Sequence, residues 1–430
     1  MFRYYLELAL RSFRHNKALT ALIVLAIGIG IGASMTMLTV LHVMSGDPLP
    51  SRSAKLFYPH LEPGPSNFGG PGFDAGEEFT WPDAMNLLRA HRAIRQAMMA
   101  GGQVAVSPGG GRKSFFSTGR YVSSEFFAMF GAPFVAGTGW TSQAGQERAR
   151  VVVLNGELAR KLFGNQSAVG RAVHLQGREF RVIGVLHDWH PEPLFYGGAS
   201  GDWAFKSDDH FFLPLNTAMD LKLPTLGSEA CWGPSSRTGD TCSWLQFWVE
   251  LDTPAQVAAY RHFLDDYWRD QKAHGRFPQN VSPELHGLMQ RLQALHLVPS
   301  DVKLQAWLAI GFLVVCLFNT IGLMLAKFLR RGGEVSVRRA MGATRRDIFL
   351  QLGVEAAILG LAGGLLGLLF TWLGLWLVRQ RPDAYARLAH LDLAMVLGVF
   401  VLAVVASMLA GLLPAWRACR IPPALKLKVQ

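Results

Sequence analysis

The chain has 430 residues, of which 50% are hydrophobic and 17% are charged, and its formal net charge is +11. This composition is too apolar for an ordinary soluble protein and too polar for a bundle that lies wholly within a bilayer. The basic residues flank hydrophobic runs, so membrane orientation explains them better than nucleic-acid binding does. We therefore expect a membrane protein with a large polar part and no nucleic-acid partner.

Four hydrophobic runs predict membrane-spanning helices. Each contains no Asp, Glu, Lys or Arg and exceeds the roughly 20 residues that a helix needs to cross a bilayer. The runs are Ala18 to Gly46, Leu304 to Ala326, Ala356 to Val378 and Leu393 to Trp416. The predicted spans that contain most of them cover residues 18–44, 304–328, 350–378 and 391–416. The first run is longer than a typical signal-peptide core and lacks a clean small-residue cleavage site, so it is interpreted as an uncleaved anchor.

Clusters of Lys and Arg predict the orientation. They precede the first run, separate the second from the third and follow the fourth, which places these three segments on the cytoplasmic side. Residues 1–17 are then a cytoplasmic amphipathic helix, residues 417–430 are a cytoplasmic tail, and residues 47–301 are a large outer domain. Three arginines in the short loop 379–392 weakly oppose this orientation.

The middle of the outer domain has clear local signals. The β-branched run Arg150 to Leu154 predicts a buried strand. Asn155 is a helix cap before Glu157 to Phe163, and Gly164 is a helix stop. This order of signals predicts a strand followed directly by a short helix.

The next two segments predict a β-hairpin. Ala172 to Leu175 and Phe180 to Leu186 alternate in polarity on either side of Gln176 and Gly177. The stretch at about 190–243 is rich in Gly, Ser, Asp and aromatic residues with weak periodicity, so it is interpreted as an irregular insertion.

The four cysteines divide by compartment. Cys316 lies in a predicted span and Cys419 lies on the cytoplasmic side, where a free thiol is ordinary. Cys231 and Cys242 lie in an outer loop, where oxidising conditions permit pairing. We predict a disulfide between them rather than two free thiols, worth about 2 to 3 kcal/mol on the chain-entropy model.

The cytoplasmic stretch 332–348 predicts a short amphipathic helix between the second and third spans. Its apolar residues share one face, its arginines lie on the other, Glu334 suits the first turn and Gly342 suits the stop. Such a helix either lies on the lipid surface or docks on a cytoplasmic partner, and its pattern does not separate these alternatives.

Small and polar residues within the runs indicate how the helices pack and which classes of transporter are excluded. Gly28 and Gly32 have the spacing that lets membrane helices approach closely, either within the chain or, as we favour, at a dimer contact. Asn319 is a polar group at depth and is expected to contact a neighbouring helix. The spans are expected to contain no ionisable residue other than His42 near the outer edge, which argues against an ion-coupled carrier or a charged pore.

No catalytic or metal site is expected. His187, Asp188, His190 and His210 can be drawn as a metal cluster, but a polar turn after a strand is the better account. The sequence has no recognisable arrangement of nucleophile, base and orienting group. We expect a non-catalytic chain with no cofactor of its own.

Several motifs together resemble a known family. In the C-terminal half they are Asn319 to Lys327, Arg330-Arg331 and Glu334 to Ala343. In the outer domain they are Val122 to Phe127, Gly131 to Pro133, Val151 to Gly164, Val169-Gly170 and Phe180 to Val185, and Leu8 to Lys17 precedes the first span. This order resembles the permeases of the macrolide-exporter (MacB-type) and FtsX-like superfamily. The implied fold is an α-helical membrane protein with four transmembrane helices and a large α+β periplasmic core domain, in the bacterial inner membrane.

The resemblance implies that Glu334 to Ala343 forms a coupling helix that docks on a cytoplasmic ATPase and transmits its motion. The docking residues would be Glu334, Val335, Val337, Arg338, Arg339, Ala340, Met341, Gly342 and Ala343. The sequence has no P-loop. The nearest match, Gly109 to Ser114, has its residues in the wrong order and lies in the outer domain. We therefore expect a separate ATPase dimer that binds ATP and magnesium.

The resemblance also implies partners and a function class. The permease is expected to pair with a second copy or a paralogue, and an exporter of this type can add a periplasmic adaptor and an outer-membrane duct. The leading hypothesis is export or extrusion of a peptide, an antibiotic or a lipid-linked molecule. The alternatives are an FtsX-like regulator that activates a cell-wall hydrolase and a lipoprotein-release permease.

Overall fold

The computed structural model describes residues 17–65, 78–108, 112–198, 203–206, 208–234, 236–298, 300–330, 333, 337–338, 341–380 and 393–420. The chain divides into two compact units. We call Met1–Gly46 with Val298–Gln430 the helical unit, and Asp47–Leu297 the outer domain. Residues 1–16 of the N-terminal helix predicted at 1–17, and residues 421–430 of the tail predicted at 417–430, lie outside the described residues.

The described helices are numbered in chain order. They are α1 Lys17–Ser45, α2 Trp81–Ala90, α3 Phe126–Phe130, α4 Ser142–Gln146, α5 Gly156–Phe163, α6 Trp203–Lys206, α7 Leu215–Asp220, α8 Pro254–Ala273, α9 Leu288–Ala294, α10 Ser300–Arg330, α11 Arg345–Arg379 and α12 Leu393–Arg420. A 3₁₀ turn covers Ser53–Lys55.

All of the described strands belong to the outer domain. They are β1 Leu56–His60, β2 Phe79–Thr80, β3 Arg95–Ser107, β4 Phe115–Val122, β5 Phe134–Gly137, β6 Val151–Asn155, β7 Ala172–Leu175, β8 Arg178–Leu186, β9 Phe211–Pro214, β10 Thr225–Leu226, β11 Ala230–Cys231, β12 Cys242–Glu250 and β13 Glu284–Gly287. Their main hydrogen-bonded order is β13-β1-β12-β3-β4-β9-β6-β8-β5.

Among the described residues, three helices of the helical unit are long and apolar enough to cross a membrane. These are α1, α10 and α11, and α12 contributes a shorter described apolar stretch, Val396–Gly411. A stretch of that length falls short of the roughly 20 apolar residues that a span requires. The predicted fourth span therefore stays a prediction.

Glycines let α1 approach α11 closely. A Cβ atom on Gly28 would lie 3.0 Å from Cγ of Leu366, and one on Gly32 would lie 2.5 Å from Cβ of Phe370. Both glycines therefore face α11 of the same chain, which corrects the dimer contact that we favoured for them. The small-residue spacing marks a close helix approach correctly, but it does not identify the helix that approaches.

Local signals in the outer domain fold as the sequence predicts. Asn155 Oδ1 accepts a hydrogen bond from the Glu157 amide at 3.1 Å, and Gly164 ends α5 with a φ of +62°. Gln176 and Gly177 connect β7 to β8 with φ values of +50° and +70°, as a tight hairpin turn requires. The strand, helix and hairpin predictions are confirmed.

The stretch at 190–243 is not irregular throughout. It contains β9, which pairs in parallel with β4 and antiparallel with β6 and so joins two parts of the sheet. All four residues of β9 are buried. Because both of its faces are covered, the alternation that marks a strand is absent, and the sequence gives little sign of it.

Candidate functional site

The predicted coupling helix at 332–348, which we call the coupling segment, is described in part. Glu334, Val335, Arg339 and Ala340 lie outside the described residues, whereas Val337, Arg338 and Met341 to Ala343 lie within them. The Met341 amide donates to the Val337 carbonyl at 3.0 Å, and the Ala343 amide donates to the Arg338 carbonyl at 3.1 Å. These bonds form a helical turn, and Gly342 leaves it with a φ of +100°, a backbone conformation that suits glycine.

This turn presents an apolar surface. Val337 and Met341 are four residues apart and so share one helical face, and they are 49% and 76% exposed. We call these two side chains the exposed apolar pair. An exposed apolar pair beside basic residues has the composition of a surface that binds a partner or a lipid.

Arg338 connects the coupling segment to α11. Its Nη1 donates to Oε1 of Gln351 at 3.1 Å. The helix itself begins at a capping box, in which the Asp347 amide donates to Oγ1 of Thr344 at 3.2 Å and the Thr344 amide donates to Oδ2 of Asp347 at 3.1 Å. The coupling segment thus leads into α11 through a defined turn and a side-chain tie.

One turn beyond Gln351 lies a buried ion pair that the sequence reasoning missed. Nζ of Lys327 on α10 is 2.8 Å from Oε1 of Glu355 on α11, and the side chains are 0% and 1% exposed. The surrounding core includes Met324, Phe328 and Leu352. The expectation that His42 is the spans' one ionisable residue is therefore wrong.

The reason for this error is visible in the sequence. Lys327 directly follows one apolar run and Glu355 directly precedes the next, so both were counted as flanking charges. Opposite charges at the facing ends of two successive apolar runs are the signal that could have revealed the pair. Ionisable residues within membrane helices commonly pair with one another and mark functional positions.

Asn319 does not take the position expected of it. It lies on the exposed side of α10, beside Phe318, whereas the next residue, Thr320, is buried. The Thr320 hydroxyl donates to the Cys316 carbonyl of its own helix at 2.8 Å. The predicted contact between Asn319 and a neighbouring helix of the chain is corrected accordingly.

The polar residues after β8 form ion pairs. Both carboxylate oxygens of Asp188 accept from Arg160, at 2.9 and 2.8 Å, and this contact lowers the pKa of Asp188 below its ordinary value. His190 Nδ1 is 3.4 Å from Asp208 Oδ1, and the contact with Asp208 raises the pKa of His190. Asp188 and His190 thus each have an ion-pair partner of opposite charge.

The two outer cysteines form a disulfide across the edge of the sheet. Cys231 and Cys242 are directly opposite in the antiparallel pair of β11 and β12, with their Cα atoms 4.1 Å apart. Glu229 lies near both sulfur atoms, and this trio is the metal-ligand grouping found among the described residues. Because the sulfurs are bonded to each other, neither is a thiolate that could bind a metal.

Two family models match the chain. The MacB-like periplasmic core domain matches residues 20–266, and the FtsX-like permease C-terminal domain matches residues 307–423. The first match alone spans more than half of the chain, so the chain belongs to the MacB-like, FtsX-like family of ABC transporter permeases. It is an inner-membrane protein with a large α+β periplasmic domain.

Curated relatives agree with this family. The chain is 27% identical over 248 residues to the macrolide export ATP-binding/permease protein MacB of Bdellovibrio bacteriovorus, which covers 57% of this chain and 34% of that protein. It is 26% identical over 329 residues to the pyoverdine export ATP-binding/permease protein PvdT of Pseudomonas syringae pv. tomato, covering 76% and 45%. It is 24% identical over 429 residues to the MacB protein of Wolinella succinogenes, covering 98% and 60%. The chain thus spans between about a third and three fifths of the length of these relatives.

Proposed function

We propose that this chain is the permease subunit of an ABC-type export complex and that it transmits ATP-driven motion from a separate cytoplasmic ATPase to its periplasmic domain. The substrate would be a peptide, an antibiotic or a lipid-linked molecule that is moved on the periplasmic side. The observation that carries the proposal is the helical turn of the coupling segment, with its exposed apolar pair and its tie from Arg338 to Gln351.

Docking on a protein explains this turn better than resting on lipid does. A helix on the membrane surface turns its basic side chains towards lipid phosphates. Arg338 is instead half-buried and donates inward to α11, while Val337 and Met341 remain exposed. A rigid turn with an apolar contact surface suits a groove on a partner protein.

The sequence and the relatives support the proposal of a separate ATPase chain. The relatives are named as ATP-binding and permease proteins, and the present 430 residues contain no P-loop. In this proposal ATP and magnesium bind to the ATPase dimer, both termini of the permease are cytoplasmic, and the permease itself performs no catalysis.

The proposed complex has two permease chains. A second copy or a paralogue would place a coupling segment on each ATPase subunit, as a two-fold arrangement requires. A periplasmic adaptor and an outer-membrane duct would complete the export route. Asn319, on the exposed side of α10, is a polar group available to the second permease chain.

The test is affinity purification of the tagged chain in mild detergent, with identification of the proteins recovered and an ATPase assay on the eluate. We expect the wild-type chain to recover a separate ATPase. Met341→Asp should abolish that recovery, because a charge on the exposed apolar pair cannot be buried in a groove. The matched control is Val135→Asp, which introduces the same charge at a 66% exposed apolar position of the outer domain.

Each result has a defined meaning. Equal ATPase recovery with Met341→Asp would refute docking through the coupling segment, and no ATPase in several detergents would refute the energised permease. An adaptor in the eluate would support export. A cell-wall hydrolase in its place would support the regulatory alternative. Intact Cys231–Cys242 pairing in every variant would verify that the outer domain has reached the oxidising side.

A further inference from the structure

The Lys327–Glu355 pair lies where the coupling segment meets the helix core. Gln351, which accepts from Arg338, is four residues before Glu355, so the two side chains lie on one face of α11 and about 6 Å apart along its axis. Glu355 then contacts Lys327 on α10. One face of α11 therefore carries two polar contacts one turn apart, the first to the coupling segment and the second to α10.

We propose that the Lys327–Glu355 ion pair is the positioning contact that carries movement of the coupling segment from α11 into α10. This inference rests on the proposed function, because it assumes that a partner ATPase moves the coupling segment. Beyond that function, it identifies the contact between the helices that transmits the movement.

The surroundings explain why this contact is suited to the task. The apolar side chains around it, including Met324, Phe328 and Leu352, attract without direction, so helices joined by them alone can slide by small amounts. A 2.8 Å ion pair that is 0% and 1% exposed fixes one alignment, because sliding would separate two buried charges. Fixing register is the best-attested role of buried polar contacts between helices.

Ser34 on α1 also bonds across helices, donating to the Ala309 carbonyl of α10 at 2.8 Å, but two other buried polar groups of the helical unit bond within their own helices. Thr36 and Thr371 are buried, but their hydroxyls donate to the Gly32 and Gly367 carbonyls of their own helices, each at 2.8 Å. Bonds within one helix cannot hold it in register with another. Thr371→Val therefore provides a matched control that removes a buried hydroxyl whose hydrogen bond lies within α11.

Four variants separate register from simple packing. Lys327→Met and Glu355→Gln each leave one partner unpaired and should lower the melting temperature by roughly 5 to 10 °C. The apolar double variant Lys327→Met/Glu355→Leu should recover most of that loss, because no charge remains buried. The exchanged double variant Lys327→Glu/Glu355→Lys restores an ion pair in the opposite sense.

The measurement is amide hydrogen exchange of the full chain in lipid nanodiscs with the copurified ATPase, with and without Mg-ATP. Two regions report: the coupling segment at 337–348 and the outer end of α10 at 300–310. In the wild type and in Thr371→Val, ATP should change exchange in both regions. In the apolar double variant the coupling segment should still respond while the α10 response is lost, and the exchanged double variant should recover the α10 response.

Two negative results have different meanings. If the coupling segment of the wild type does not respond to ATP, the proposed function fails and this inference fails with it. If the coupling segment responds and α10 of the apolar double variant responds as strongly as in the wild type, the proposed function stands and the inference alone is refuted. The melting temperature of the apolar double variant establishes that a lost response does not reflect unfolding.

Discussion

The outer domain and the helical unit each bury an ion pair, and the two pairs are surrounded differently. In the outer domain, Arg120 Nε is 2.7 Å from Asp209 Oδ2, and the side chains are 6% and 5% exposed. Gln246 accepts from Arg120 at 3.3 Å and donates to Glu78 at 3.1 Å, while the Arg120 guanidinium lies 4.9 Å from the centre of the Tyr196 ring. This pair belongs to a network.

The Lys327–Glu355 pair links α10 to α11, and Met324, Phe328 and Leu352 belong to the apolar core beside it. A network distributes the stabilisation of each buried charge over several hydrogen bonds, so it holds a segment in place from many directions. A pair between two helices acts along one direction. The comparison indicates that the outer-domain pair serves to fix a fold, whereas the helical pair is suited to transmitting a displacement.

The largest effect we predict tests the outer-domain ion pair of this comparison. Arg120→Met removes the cation that Asp209 and Gln246 contact and leaves the buried Asp209 carboxylate without its ion-pair partner. Losing one member of a buried pair costs about 3 to 5 kcal/mol. Thermal proteolysis of the full chain, followed by quantification of outer-domain peptides, should show that loss.

An exposed pair provides the control for Arg120. Arg269 Nη1 is 2.9 Å from Asp266 Oδ1, but the side chains are 61% and 56% exposed. Exposed pairs contribute at most about 1 kcal/mol, so Arg269→Met should change the same transition little. Equal losses for the two variants would mean that burial and the network do not distinguish the Arg120 site.

An intermediate effect is predicted for the helical unit, where α1 and α11 pack closely at Gly32. Gly32→Ala places a Cβ atom 2.5 Å from Cβ of Phe370, so α1 and α11 must move apart. Overpacking of this kind costs about 1 to 3 kcal/mol. Thermal proteolysis with peptides from α1 and α11 measures it, and Gly322→Ala on α10 is the control, because a Cβ atom there meets nothing within 4 Å. Similar melting of both variants would contradict close packing at Gly32.

Local signals made part of the fold predictable. The strand and helix from Val151 to Phe163 follow from a β-branched run, a capping Asn155 and a terminating Gly164, all of which act over a few residues. The hairpin at Gln176 and Gly177 is equally local. The membrane helices follow from length and composition, because a bilayer sets the required length.

Features set by tertiary contacts were not predictable in the same way. Strand β9 has no alternation because the sheet covers both of its faces. The spacing of Gly28 and Gly32 indicates close approach without naming α11 as the neighbour. Lys327 and Glu355 occupy the positions of charges that flank a span, and their pairing depends on how two helices align. The register between elements therefore determines the part of the candidate site that the sequence leaves open.

The smallest effect we predict concerns the rim of the outer domain, where His190 contacts Asp208 at 3.4 Å with side chains 28% and 33% exposed. The hydrogen bond with Asp208 raises the pKa of His190 above its ordinary value of 6.5, although partial burial opposes this shift. The folded protein thus binds this proton more tightly than the unfolded chain does. The stabilisation is fully present below about pH 6.5 and is lost as the pH rises through the folded-state pKa.

His190→Gln should therefore destabilise the outer domain at pH 5.5 and have little effect at pH 8.5, with a difference below about 1 kcal/mol because the pair is partly exposed. Outer-domain peptides in thermal proteolysis at the two pH values measure this. Asp208→Asn should abolish the same pH dependence, and combining it with His190→Gln should add nothing, since both remove one contact. A pH dependence that survives in His190→Gln would assign the titration to another group. The buried Arg120 network, rather than the contact of His190 with Asp208 at the rim, would then be the determinant of stability in this region.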